Sequence, residues 1–166
     1  MSLAGCATPR SASRPDPEAR LAELGITLPS ATAPIANYVN AVRTGKLVFL
    51  SGKGPRKPDG TNVTGKVGRD LTIEEGYAAA RLTGINQLAA LKAELGDLRR
   101  VRRIVKVLGL VNCTESFTDQ PRVINGYSDL MVEVFGEAGK HARSAVGAPA
   151  LPGNIAVEVE MIVEVD

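Results

Sequence analysis

Residues 101–112 read VRRIVKVLGLVN, a β-branched and apolar run that predicts a strand buried on at least one face. On its N-terminal side, apolar residues recur every three or four positions, which predicts a long helix. That helix begins at Asp70 or Thr72, where a side chain can cap it, and ends at Gly96. On the C-terminal side, residues 121–135 predict a second helix.

Shorter strands are predicted towards both ends of the chain. Residues 38–42 and 47–51 alternate in polarity around the turn residues 43–46, and this pattern indicates a β-hairpin. Residues 142–147 predict another strand. Residues 155–165 alternate apolar side chains with glutamate, which is typical of a strand with one buried face.

From residue 34 onward, the predicted order of elements is β-β-α-β-α-β-β. This order predicts an α+β two-layer sandwich, in which a mixed sheet carries two helices on one face. The other face of the sheet then lacks a helical cover. Because residues 101–111 are so apolar, we expect a second copy of the chain to cover that face, in a homo-oligomer.

The length of 166 residues predicts one domain. Residues 1–17 are rich in Ser, Ala, Arg and Pro and predict a flexible leader. Residues 18–166 form the predicted domain. Within it, residues 18–33 supply a short helix and an extension, and residues 34–166 supply the core.

The composition argues against several classes of function. A net charge of +2 and an aromatic content of 4% disfavour nucleic-acid binding, which needs basic surfaces or stacking platforms. Two cysteines and one histidine are too few donors for a structural zinc site. No phosphate-binding glycine motif and no membrane-length apolar run occur in the sequence. We therefore expect no metal, no cofactor, no nucleic acid and no membrane, and a cytoplasmic location.

Several short motifs together resemble a known family. The most specific are residues 142–146 (ARSAV), 151–152 (LP) and 157–160 (VEVE). Residues 38–42 (YVNAV), 50–52 (LSG) and 123–127 (VINGY) agree with the same pattern. The chain is similar to the Rid, or YjgF-like, family of reactive-intermediate deaminases, formerly called endoribonuclease L-PSP. Its N-terminal extension resembles a divergent subgroup.

The resemblance implies a fold like that of chorismate mutase, without its activity, assembled as a homotrimer with three clefts between subunits. In active members, each cleft hydrolyses a small enamine or imine, such as 2-aminoacrylate, to a 2-keto acid and ammonia. No metal or organic cofactor takes part. The implied partners are therefore a small carboxylate substrate and two further copies of the chain.

The resemblance also implies roles for particular residues. Arg143 matches the arginine that binds the substrate carboxylate through two parallel hydrogen bonds. Glu158 matches the acidic residue that orients or activates the hydrolytic water. The matching substrate-binding positions are Tyr38, Gly52, Asn125 and Ala145. From the residues alone, Arg143 is more typical of a surface ion pair, and Glu158 is equally consistent with a polar position on an alternating strand.

The sequence departs from the family pattern at four positions, one of which is Gly147, where many members carry glutamate. Many active members carry cysteine where Ala145 stands, so a cysteine nucleophile is excluded there. Lys53 replaces a frequent glutamine, and His141 replaces a frequent proline. His141 can serve acid-base chemistry or a structural role. Basic residues around Lys53 admit a larger or more anionic ligand, or form a solvated loop.

Two further functions stay open beside imine hydrolysis. One is a trimer that binds a small carboxylate metabolite without turning it over. The other is an endoribonuclease, as the older family name suggests. The small net charge, the single histidine and the scarce aromatic residues count against the second of these.

Overall fold

The structure is a computed structural model that describes residues 14–34 and 36–166. Most of the predicted leader, residues 1–13, lies outside the described residues. The described elements are α1 (Pro17–Glu23), β1 (Ala41–Thr44), β2 (Leu47–Lys53), α2 (Ile73–Leu95), β3 (Val101–Asn112), α3 (Gln120–Phe135), β4 (Ala142–Ala148) and β5 (Val157–Val165). From β1 onward the order matches the prediction.

The five strands form one sheet in the order β1-β2-β5-β3-β4. Strands β3 and β4 run parallel, and every other neighbouring pair runs antiparallel. The sheet is therefore mixed, and the predicted α+β class is confirmed. The last strand of the chain, β5, occupies the centre of the sheet, so the fold closes only when the C-terminus is in place.

Helices α2 and α3 cover one face of the sheet. On β5 every second residue from Val157 to Val165 is buried, while Glu160 between them is exposed. The Tyr127 hydroxyl of α3 donates a hydrogen bond to Met161 Sδ at 3.2 Å, which ties the helix layer to the sheet. The opposite face carries exposed apolar side chains, including Phe49 and Val146.

The two long helices cross at very short range. A Cβ atom at Gly126 of α3 would overlap the main-chain oxygen of Tyr77 in α2, and one at Gly84 would lie 2.8 Å from Leu130. Glycine at both positions therefore allows the backbones to approach. These glycines of α2 and α3 face the other helix.

Helix α2 begins at the second of its two predicted caps. The Thr72 side chain accepts from Glu75 N, and the Glu75 carboxylate accepts from Thr72 N, which completes a capping box. Asp70 instead accepts from the main-chain nitrogen of Lys66 and pairs with Arg69. It closes the loop that leads into the helix.

Strand β1 begins three residues later than predicted. Its ladder with β2 runs from Ala41 opposite Leu50 to Thr44 opposite Leu47, and beyond Leu50 a bulge interrupts the pairing of β2. Tyr38 therefore lies on the loop before the strand, with 48% of its surface exposed. Within residues 14–34 and 36–166, no helix is both long and apolar enough to span a bilayer.

Candidate functional site

Arg143 lies on the edge strand β4 and is fixed by helix α3. Its register partner on β3 is the buried Val107, so its side chain points to the helix-covered face. Arg143 Nη1 donates to Asn125 Oδ1 and to Ser128 Oγ, both at 2.9 Å. Among the described residues no carboxylate forms an ion pair with Arg143. The guanidinium is thus oriented by neutral acceptors while its charge stays unpaired.

His141, which directly precedes β4, contacts Ser128 and so helps to position this acceptor of Arg143. Its Nδ1 lies 2.7 Å from the Gly139 carbonyl oxygen, and its Nε2 lies 3.0 Å from Ser128 Oγ. The carbonyl requires a proton on Nδ1, so in the neutral ring Nε2 accepts from the Ser128 hydroxyl. Burial lowers the pKa of His141, and the charge of Arg143 lowers it further. The neutral form therefore leaves the Ser128 lone pairs free for Arg143.

Ala145 lies two residues beyond Arg143 on the same face of β4. It stands opposite Gly109 of β3, and the Ile124 side chain fills the space above that glycine. Since β4 is the edge strand, the backbone groups on its outer side have no ladder partner within the described chain. A backbone amide at this edge is therefore able to receive an anion from outside the subunit.

Glu158 and Gly52 form a second group on β5 and β2. Glu158 pairs with Leu110 of β3 and points to the open face of the sheet. A Cβ atom at Gly52 would overlap Glu158 Oε1, so the carboxylate rests against the glycine backbone. The Gln87 side chain of α2 donates to the Ser51 carbonyl oxygen at 3.3 Å, and this hydrogen bond connects the bulged segment of β2 to the helix.

Tyr38 belongs to this second group. It lines a cavity of about 160 Å³ together with Gly52 and the following Lys53. The loop position of Tyr38 leaves its ring exposed at the mouth of this cavity.

The six predicted site residues therefore fall into two groups within one subunit. One group is Arg143, Asn125 and Ala145, and the other is Glu158, Gly52 and Tyr38. Arg143 and Glu158 point to opposite faces of the sheet, on strands separated by β3. Within a single subunit the arginine and the acid do not face one common pocket.

Sequence reasoning did not single out Ser128 or Gln87. Ser128 follows Asn125 by three positions on α3, so helical spacing alone places both on one face. Gln87 is a fully buried polar residue in an otherwise apolar part of α2. Its Oε1 has no hydrogen-bond partner among the described groups. No group of three or more His, Cys, Asp or Glu among residues 14–34 and 36–166 is arranged to hold a metal ion.

A model of a known protein family matches most of the chain. The model described as "YjgF/chorismate_mutase-like, putative endoribonuclease" matches residues 18–165. This chain belongs to the YjgF/Rid family. The resemblance carried by residues 142–160 is thereby confirmed, and both groups of candidate residues lie within the matched range.

Individual relatives agree with this Rid assignment. Protein TCP17 of Trypanosoma cruzi is 48% identical over 149 residues, which cover 89% of this chain and 93% of that protein. A 2-iminobutanoate/2-iminopropanoate deaminase of Dermatophagoides farinae is 32% identical over 142 residues, which cover 85% and 95%. The crystal structure of protein Atu1372 from Agrobacterium tumefaciens has a TM-score of 0.83 at 45% identity, covering 90% of this chain and 92% of that one.

Proposed function

We propose that this Rid protein hydrolyses a small carboxylate-bearing enamine or imine to a 2-keto acid and ammonia. The observation that carries the proposal is the state of Arg143, whose guanidinium is oriented by Asn125 and Ser128 but has no anionic partner among the described residues. An oriented and unpaired guanidinium is suited to a planar carboxylate. The deaminase name of the Dermatophagoides relative supports the reaction class.

Arg143 holds the substrate carboxylate in this proposal. Two of its N–H groups bind the two carboxylate oxygens in parallel and so fix the plane of the adjacent imine. A backbone amide at Ala145 on the edge of β4 adds a further donor. Fixing the plane removes rotational freedom before the reaction, which lowers the barrier for attack on the imine carbon.

Glu158 activates the hydrolytic water in this proposal. Its carboxylate accepts a proton from water as the water oxygen bonds to the imine carbon, and the proton then passes to the nitrogen of the tetrahedral adduct. The hydroxyl of the adduct then gives its proton to the nitrogen through the Glu158 carboxylate, the carbon–nitrogen bond breaks, and ammonia leaves as the keto group forms. An enamine enters the same route after protonation at carbon. Tyr38 and the Gly52 amide bind the substrate beside this carboxylate.

The reaction takes place in a cleft between two subunits of a homotrimer. Arg143 and Glu158 point to opposite sheet faces of their own chain, so one subunit supplies the arginine group and its neighbour supplies the acid group. The exposed Phe49 and Val146 on the open face, and the free edge of β4, give a second copy of the chain a surface to cover.

The experiment measures ammonia and keto-acid release from 2-aminoacrylate and related imines generated in situ. The wild type is compared with Arg143→Ala and with the control Arg99→Ala, because Arg99 is exposed and its ion pair among the described residues is with Asp97, two positions before it. Rapid release by the wild type and the control, lost in Arg143→Ala, supports the proposal. Wild-type protein that binds carboxylates without releasing ammonia from any imine would instead be a binding protein.

A further inference from the structure

The cavity beside Gly52 has a cationic wall that the proposed reaction does not use. It holds about 160 Å³ and is bounded on one side by the N-terminal extension, including Thr32. Lys53 and Arg56 both line it, and no acidic residue does. A cavity with two positive charges and no negative one favours an anionic occupant.

Lys53 is held at this wall by neutral groups alone. Its ammonium donates to Asn40 Oδ1, and the Asn40 amide nitrogen in turn donates to the Thr32 carbonyl oxygen at 2.8 Å. Among the described residues, no carboxylate pairs with Lys53 or Arg56. Partial burial lowers the pKa of Lys53, because it removes water from around the charged ammonium. An anion placed there would compensate this charge.

The cavity shares two lining residues with the acid half of the proposed cleft. Tyr38 and Gly52, which contact the substrate in that proposal, also line the cavity, and Lys53 directly follows Gly52. A molecule that reaches the Gly52 amide therefore lies close to the Lys53 ammonium. Since Arg143 binds the carboxylate next to the imine, Lys53 and Arg56 are left for a second charge on the same molecule.

We infer that the cavity lined by Lys53 and Arg56 binds a second carboxylate of the substrate. The preferred substrates are then imines and enamines of dicarboxylic amino acids, and the product is a dicarboxylic 2-keto acid. Lys53 acts as a specificity-determining residue, with Arg56 as a more exposed second cation. This inference rests on the proposed function, because it assigns a substrate class to the same cleft.

The test compares imines that amino-acid oxidases generate in situ from aspartate and glutamate with those generated from alanine and 2-aminobutyrate. Because the second carboxylate would form hydrogen bonds with charged groups, we expect kcat/KM to be about 10- to 100-fold higher for the dicarboxylic imines. Lys53→Gln abolishes that preference, because it lowers kcat/KM for the dicarboxylic imines much more than for the monocarboxylic ones. The control Lys57→Gln removes the same charge from an exposed position on the same loop, outside the cavity lining, and keeps the preference.

A second measurement separates this inference from the proposed function. Calorimetric titration with succinate and propionate reports binding without any turnover. If no imine is hydrolysed but the wild type binds succinate more tightly than propionate, and only Lys53→Gln loses the difference, the second anion site stands without the deaminase. The inference is overturned, and the deaminase stands, if imines are hydrolysed with no preference for dicarboxylates. In that case Lys53→Gln also leaves the ratio of kcat/KM for dicarboxylic and monocarboxylic imines unchanged.

Discussion

The carboxylate of Glu158 occupies the space that a side chain at Gly52 would fill. The two residues lie on neighbouring strands, at the point where a bulge interrupts the pairing of β2 with β5. Glycine is favoured at this position by the acid beside it and not by the backbone, since Gly52 does not adopt a positive φ. The pair places a carboxylate next to the backbone of a residue that also lines the cationic cavity.

Gly52→Ala should lower activity with little effect on stability. The backbone at position 52 accepts an alanine, and the atom that must move is the end of the half-buried Glu158 side chain. We expect a change in the free energy of unfolding below about 1 kcal/mol, which is small among point mutants. The loss of imine hydrolysis should be about tenfold or more, comparable with the contribution of a positioned base. Denaturant unfolding and ammonia release measure the two effects.

A fully active Gly52→Ala protein would show that the position of Glu158 is irrelevant to the reaction. Glu158→Gln provides the direct comparison, and Glu160→Gln the control, because Glu160 lies two residues along the same face of β5. The expected order of activity is wild type, then Glu160→Gln, then the two altered cleft variants.

Mixing two inactive variants should restore activity if the cleft is shared between subunits. Arg143→Ala retains the acid group, and Glu158→Gln retains the arginine group. After unfolding and refolding together in equal amounts, about a quarter of the clefts in a cyclic oligomer receive one intact residue from each neighbour. Activity should therefore recover to roughly a quarter of the wild-type value. No recovery, in mixed oligomers verified by native mass spectrometry, would place both residues in the cleft of one chain.

The sequence predicts the middle of the fold well, because its signals there are local. The run from Val101 to Asn112 is rich in β-branched and apolar residues and forms β3 over those residues. Helix α2 ends before Gly96, which adopts a φ of 76° that suits glycine. The start of strand β1 is mispredicted because it is decided by pairing with β2, which begins at Ala41 opposite Leu50, and not by the local alternation of side chains.

The candidate site shows the same limit. Alternation within one strand predicts which residues share a face with Arg143, and likewise for Glu158. It does not predict that the two faces are opposite, because that depends on how β4 and β5 both pair with β3. The connection from Lys53 through Asn40 to Thr32 also joins a strand to the extension by tertiary contacts alone.

Ser128→Ala should weaken substrate binding through Arg143. The variant removes one of the two acceptors that orient the guanidinium and leaves Asn125 in place. Loss of a hydrogen bond to a charged group predicts a fall of about tenfold in kcat/KM. Ser116→Ala is the control, since Ser116 is exposed in the loop before α3. Equal kinetics for both variants would show that Asn125 alone orients Arg143.

His141 should make the folded protein less stable as the solution becomes acidic. In the unfolded chain its pKa is near 6.5, and in the folded protein burial and the charge of Arg143 lower the pKa. As the pH falls below 6.5, the unfolded chain takes up this proton before the folded protein does, so the free energy of unfolding decreases. The decrease ends once the pH lies below the folded-state pKa, where both states are protonated.

Replacing His141 by glutamine isolates this effect from all other titrating groups. The glutamine side chain can still donate and accept hydrogen bonds towards Gly139 and Ser128 but does not titrate. The difference in unfolding free energy between wild type and His141→Gln should therefore be constant above pH 7. At about pH 5 to 6 the wild type should become less stable relative to the variant. Urea unfolding across this range measures it. A difference that does not vary with pH would mean that the histidine keeps its ordinary pKa, and that its contact with Ser128 does not depend on the neutral ring.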